Sequence, residues 1–120
     1  MPTHADVERF VALVEAGRTV DAMVEFYADH ATMRENQAEP RVGKAALIRH
    51  EEAALATIAS LQARCVRPWL IAGDHVVIRW VFDIQDRQGR DHRLEELAWQ
   101  RWDQGLIVEE EFFYDPAQMR

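Results

Sequence analysis

An α+β fold, three helices covering one face of a mostly antiparallel sheet, is predicted for this chain by three observations. The first half carries apolar residues at helical spacing. From Leu61 onward the pattern changes to long strands, joined by turns too short for helical crossovers. Between the two halves, Phe26–Gly43 reads as a helix end, a short strand and a second helix start.

Taken in order, Val7, Phe10, Val11 and Val14 fall at i, i+3, i+4 and i+7. Thr3 supplies an N-cap with Asp6 three residues on, and Gly17 supplies the stop. A second helix starts near Thr19 or Asp21 and carries Val20, Met23, Val24 and Tyr27 on one stripe up to the Asp29-His30 break. A strand over Thr32–Asn36 follows. A third helix after Gly43 sets Leu47, His50, Ala54, Ile58 and Leu61 on one face, with Arg49, Glu51, Glu52 and Thr57 turned away. Turn signals at Ala72-Gly73-Asp74, Asp86-Arg87-Gln88-Gly89-Arg90 and Asp103-Gln104-Gly105 divide the rest into four strands of an antiparallel meander.

The 120 residues and 48% hydrophobic content fit one domain, 1–120, with a real core. A net charge of −7 disfavours nucleic acid, whose binding needs clustered Lys and Arg. Cys65 stands alone, so neither an internal disulfide nor a cysteine zinc site is expected, and the reducing cytoplasm is the natural setting. No signal peptide or run of 18 apolar residues is visible, so no membrane partner is expected. His30, His50, His75 and His92 are scattered without metal-ligand spacing.

The element order, with Tyr-Ala-Asp-His-Ala-Thr-Met-Arg-Glu ahead of Pro40-Arg41-Val42-Gly43, resembles the nuclear transport factor 2-like superfamily over nearly the whole chain. Within it the chain is most similar to the SnoaL-like group, with polyketide cyclase, ketosteroid isomerase and limonene-epoxide hydrolase as relatives. The resemblance implies a cone-shaped domain with the three helices on the concave face of a strongly curved sheet. It says little about activity, because this fold hosts enzymes, binding proteins and assembly domains.

Period two in strands places Glu95 and Glu96 on opposite faces, so one of them faces the helices. A three-residue loop at Asp103-Gln104-Gly105 would pair Trp102 with Leu106, Gln100 with Val108, Ala98 with Glu110 and Glu96 with Phe112. Glu96, Gln100, Trp102, Glu110, Phe112 and Tyr114 then share a face. The resemblance makes that face the concave one, which leaves Leu97, Trp99 and Phe113 on the convex one as a candidate homodimer surface. For the strand His75–Gln85, either Arg79, Val81 and Asp83 or Ile78, Trp80 and Phe82 face inward, since one residue of turn reverses the choice. Likeness to limonene-epoxide hydrolase favours Arg79, where that enzyme keeps an epoxide-orienting Arg.

Glu35 matches by motif position the general-base carboxylate of steroid isomerases. The competing reading is a strand-end Glu paired with Arg34 or Arg41. Phe10 and Ala98 stand where those isomerases keep their oxyanion donors, and Val81 and Phe112 where the hydrolase keeps its carboxylates; both pathways therefore lack partners. His50 lies on the apolar stripe of the third helix, as a substrate contact or a hydrogen-bonded core residue. Tyr114 and Tyr27 could bond a ligand or reach solvent at the rim. The expectation is a homodimeric small-molecule-binding domain that needs no cofactor or metal, with Glu35, Glu96 and Arg79 as catalytic candidates. His50, Gln100, Trp102, Glu110, Phe112, Tyr114 and Tyr27 would then contact substrate. A non-catalytic ligand-binding or dimerisation domain of the same fold is the alternative.

Overall fold

The computed structural model describes residues 1–120. Three helices, α1 (His4–Glu15), α2 (Thr19–Phe26) and α3 (Lys44–Ala56), pack against six strands: β1 (Tyr27–Glu35), β2 (Arg41–Val42), β3 (Ile58–Ala72), β4 (His75–Asp86), β5 (Asp91–Asp103) and β6 (Leu106–Phe113). The strand order is β2-β1-β6-β5-β4-β3. All neighbours are antiparallel except β1 with β6. The expected α+β fold and its four-strand meander are therefore present, and the curved sheet is left open. No helix is long and apolar enough to cross a membrane.

Local signals account for most boundaries. Thr3 Oγ1 accepts the Asp6 N–H at 3.0 Å, the expected N-cap of α1. At the other end Gly17 has φ 79°, its N–H reaches Val14 O, and the Arg18 N–H reaches Leu13 O. This is a Schellman stop, which places the left-handed residue where glycine carries no Cβ penalty. Gly43 (φ 97°) turns the chain into α3 while its N–H bonds Ala31 O at 2.8 Å, so the helix start is tied to β1.

Two element boundaries differ from expectation. Tyr27 opens β1 instead of closing α2, because its φ of −88° and ψ of 136° are already extended; the strand starts five residues before Thr32. In α3 the apolar stripe outlasts the helix. Thr57 caps it, and Ile58 and Leu61 belong to β3, where a register shift between Ile58 and Ser60 lets both face the cavity although they are an odd number of residues apart.

The β5–β6 hairpin turns on two residues, Gln104 and Gly105, both at positive φ, as a type I′ turn requires. A three-residue loop was expected. The pairing is accordingly Gln100 with Glu110 and Ala98 with Phe112, two residues away from the expected register. One residue of that shift comes from the shorter turn and one from a bulge between Arg101 and Trp102. Two is the side-chain period, so the predicted face survives the slip.

For β4 the outcome is the other of the two alternatives. Ile78 pairs with Ala98, Trp80 with Glu96 and Phe82 with Leu94, so Trp80 looks inward while Arg79 sits opposite Leu97 on the exposed convex face. The five residues between the last pair, Gln85 with Asp91, closed by the Asp86 N–H to Arg90 O bond, set this parity. Pro68 falls on the edge strand β3, between Val66 and Leu70 where pairing with β4 is interrupted; an edge tolerates its missing N–H.

The core lies between the helices and the concave face. Phe10, Phe26 and Trp102 meet edge-to-face with centroids 5.8–6.4 Å apart. Leu47, 1% exposed, is the one fully buried residue of α3. Leu47→Ala is expected to destabilise the fold by about 2–4 kcal/mol in urea denaturation, through lost burial and the cavity left behind.

Candidate functional site

Between the helices and β1, β4, β5 and β6 is a cavity of about 320 Å³, lined by 23 residues of which 16 are hydrophobic. That balance suits a small apolar molecule held by a few polar groups. Phe10, Met23, Tyr27, Met33 and Trp80 form buried parts of its wall, whereas Thr57, Ile84, Leu94 and Met119 are partly or fully exposed and mark its mouth. Met119 is brought there by a C-terminal 3₁₀ turn, Pro116–Met119, capped by Asp115. The Gln118 amide accepts the Glu95 N–H at 3.0 Å and donates to the Glu95 carbonyl at 3.2 Å. It thereby occupies the edge of β5 that the shorter β6 leaves unpaired.

Four carboxyl groups line this cavity: Glu35, Glu51, Glu96 and Glu110. Glu35 ends β1 opposite Phe112 of β6. Asn36 holds that corner, donating its N–H to Phe112 O at 2.8 Å and accepting the Tyr114 N–H at 3.0 Å. Glu35 then accepts from the Tyr114 hydroxyl at 2.8 Å and from Arg41 at 3.4 Å. Arg34 points the other way, to Glu111 at 2.6 Å. Burial, followed by the bond to Glu35, pushes the Tyr114 phenol up to about 12.

Glu110, 3% exposed, lies deepest. It accepts from the Tyr27 hydroxyl and from Gln100 Nε2 at 2.7 Å, while Gln100 Oε1 accepts the Trp102 indole N–H at 2.9 Å. Burial pushes its carboxyl up to about 7, against the two hydrogen bonds that favour the charged form. The Tyr27 phenol is raised well above its ordinary value, first by burial and then by the neighbouring Glu110 charge.

Glu96 has no such help. Burial, and then the charges of Glu110, Glu35 and Glu51, push it up to about 8, with no hydrogen bond or cation acting against them. Glu51 is raised in the same way, by burial and then by Glu35. A carboxyl that stays protonated at neutral pH in an apolar cavity can donate a proton or a hydrogen bond, and its conjugate base can take one back.

Of the residues singled out from the sequence, Glu35, Glu96, His50, Glu110, Phe112, Tyr114 and Tyr27 line the cavity. Gln100 and Trp102 lie in the core behind it and reach it only through Glu110. Arg79 does not reach it at all, because the β4 register turns it to the convex face. Glu35 bonds Tyr114 and Arg41 and not His50 or Glu96, so these three share the cavity without a hydrogen bond between them. Phe10 lines the cavity, while Ala98 and Val81 are buried away from it. The expectation missed Glu51, which was assigned to the outer face of α3. Its spacing of four from Leu47 carried the signal, since Leu47, His50, Glu51 and Ala54 follow i, i+3, i+4, i+7.

A family model described as SnoaL-like domain matches residues 7–110. No curated protein matches the chain. Among solved structures, a proposed SnoaL-like polyketide cyclase from Mesorhizobium loti is 21% identical, with 95% of this chain and 100% of that one covered and a TM-score of 0.80. A protein of ketosteroid isomerase-like fold from Catenulispora acidiphila, in complex with trimethylamine, is 17% identical, with 97% and 89% covered and a TM-score of 0.81. TerC, co-crystallised with polyporic acid, is 11% identical, with 96% and 92% covered and a TM-score of 0.81. At these identities the likeness concerns the fold.

The raised carboxyl of Glu96 has a consequence for stability. Unfolded, the group titrates near 4.5; folded, near 8, so the folded chain holds an extra proton between those values. Stability is therefore undiminished by this group below about pH 4.5 and declines as pH rises toward 8. Glu96→Gln is expected to stabilise the protein by about 2–4 kcal/mol at about pH 8.5 and by little at about pH 5, measured by urea denaturation.

Proposed function

Because the chain belongs to the SnoaL-like domain family, we propose that its cavity encloses a small, largely apolar ring compound and moves a proton on it by cofactor-independent acid/base chemistry. Isomerisation, cyclisation and hydrolysis all fit that description. The observation that carries the proposal is Glu96: an unpaired carboxyl in an apolar wall, pushed up to about 8. In this reading Glu96 gives or takes the proton. Glu35, fixed by Tyr114 and Arg41, is the second proton-handling group, and His50 and Phe112 position the compound. The neighbours that hold trimethylamine and polyporic acid lend support, since chains of this fold accommodate small organic molecules.

A non-catalytic binding domain is the second reading, favoured by Phe10. It presents a hydrocarbon ring to the cavity where steroid isomerases keep a stabilising hydroxyl. The two readings separate in deuterium oxide. A ring ketone such as 1-indanone should exchange its α-protons faster with the protein, and Glu96→Gln should lower that rate about 100-fold or more. Equal rates in the two proteins, with the ketone bound, would leave binding alone.

The convex face is proposed to pair two copies of the chain, since Leu97, Trp99 and Phe113 are exposed there, Trp99 to 49%. Trp99→Glu is then expected to elute as a monomer in size-exclusion chromatography with light scattering, where the parent protein elutes as a dimer. With its acidic surface and unpaired Cys65, the protein is placed by this reading in the cytoplasm, acting on a small molecule and not on nucleic acid or membrane.

A further inference from the structure

The cavity is lopsided in charge. Its lining holds four carboxyl groups and neither a Lys nor an Arg; His50 is the single lining side chain able to become positive. Arg41 meets Glu35 from outside the lining. The carboxyls oppose one another's ionisation, as the charges of Glu35, Glu51 and Glu110 act on Glu96, and that of Glu35 on Glu51. Neither Glu51 nor Glu96 receives a hydrogen bond that would offset this.

The apolar part of the wall has a shape of its own. Trp80 and Phe82 stack with centroids 5.8 Å apart and planes 22° from parallel, and both line the cavity with Phe112. Aromatic faces beside carboxylates form an environment that attracts alkylated ammonium groups, through the ring quadrupole and through charge together. An anion entering the same space would be repelled by every carboxyl that ionises and would meet no Lys or Arg. A neutral apolar compound would fill the volume and leave the carboxyls as they are.

We infer that the cavity's ligand carries a positive charge on an apolar body: an amine or quaternary ammonium compound whose cation sits among Glu51, Glu96 and Glu110, against Trp80 and Phe112. The inference rests on the reading of the cavity as a ligand site and narrows it to one chemical class. The cation supplies the opposite charge that the lining lacks. Binding therefore strengthens as the carboxyls ionise, and near neutral pH it releases protons from them.

Three probes of similar size test this: phenyltrimethylammonium, a cation at every pH; its neutral carbon isostere tert-butylbenzene; and the anion phenylacetate. Affinities are measured by NMR titration at about pH 6 and about pH 8.5. The cation is expected to bind about tenfold or more tighter than its isostere at the higher pH, and to lose most of that advantage at the lower. In Glu96→Gln the advantage should shrink while the affinity for tert-butylbenzene stays within about twofold. Glu51→Gln serves the same comparison if Glu96→Gln does not fold. Equal or tighter binding of the neutral isostere, or tightest binding of phenylacetate, overturns the inference and leaves the cavity a ligand site. If none of the three binds, the inference and the reading of the cavity as a ligand site fall together.

Discussion

Cross-strand parity governs this molecule. In the meander, each hairpin fixes which alternate residues of the next strand look into the cone, and one residue of turn or bulge is enough to exchange the two faces. The five residues Asp86–Arg90 between the last paired residues put Trp80 beside Glu96 and send Arg79 outside. At the next hairpin a two-residue turn and a bulge together restore Glu110 to the side of Gln100. The chemical character of the interior, acidic and aromatic without a guanidinium, follows from those few loop residues.

That interior keeps its carboxyls by different means at different depths. Glu110 is the most enclosed, and two donors hold it, so its titration falls nearest neutrality among the strongly raised groups. Glu96 is less enclosed yet has no donor, and it is pushed further up. The two hydrogen bonds to Glu110 and the three like charges acting on Glu96 together outweigh the difference in burial. Glu35, at the end of β1, relies on Tyr114 and Arg41, and a corner built on Asn36 carries both strand ends.

Much of the fold was legible in the sequence because its signals are local: a Thr3 cap, a Gly17 stop, and long alternating strands separated by short turns. The set of residues that share a face on β5 and β6 was legible too, its inward direction implied by the resemblance, although the register was not, because a shift of two residues leaves the faces unchanged. Where one residue decides, as in β4, the sequence left both faces open, and likeness to a distant enzyme favoured the face that the structure does not use. Glu51 was hidden for another reason. A charged residue beside another Glu in a weakly amphipathic helix reads as solvent-facing, and only the distance from Leu47 corrects that. The end of α3 was obscured because Ile58 and Leu61 continue the helical spacing, and the irregularity after Ile58 that puts them on one face of β3 leaves no mark in the sequence.

The hydrogen-bond chain beneath the cavity runs in one direction. Trp102 donates to Gln100, Gln100 donates to Glu110, and Tyr27 donates to Glu110 from the other side. An indole N–H can give a hydrogen bond but accept none, and an amide anchored by that indole cannot reverse. The core side of Glu110 is therefore a dead end for protons, an insulated terminus rather than a wire to bulk water. Protons reaching or leaving Glu110 therefore pass on its cavity side, so a molecule bound in the cavity and this buried acid share one path to solvent.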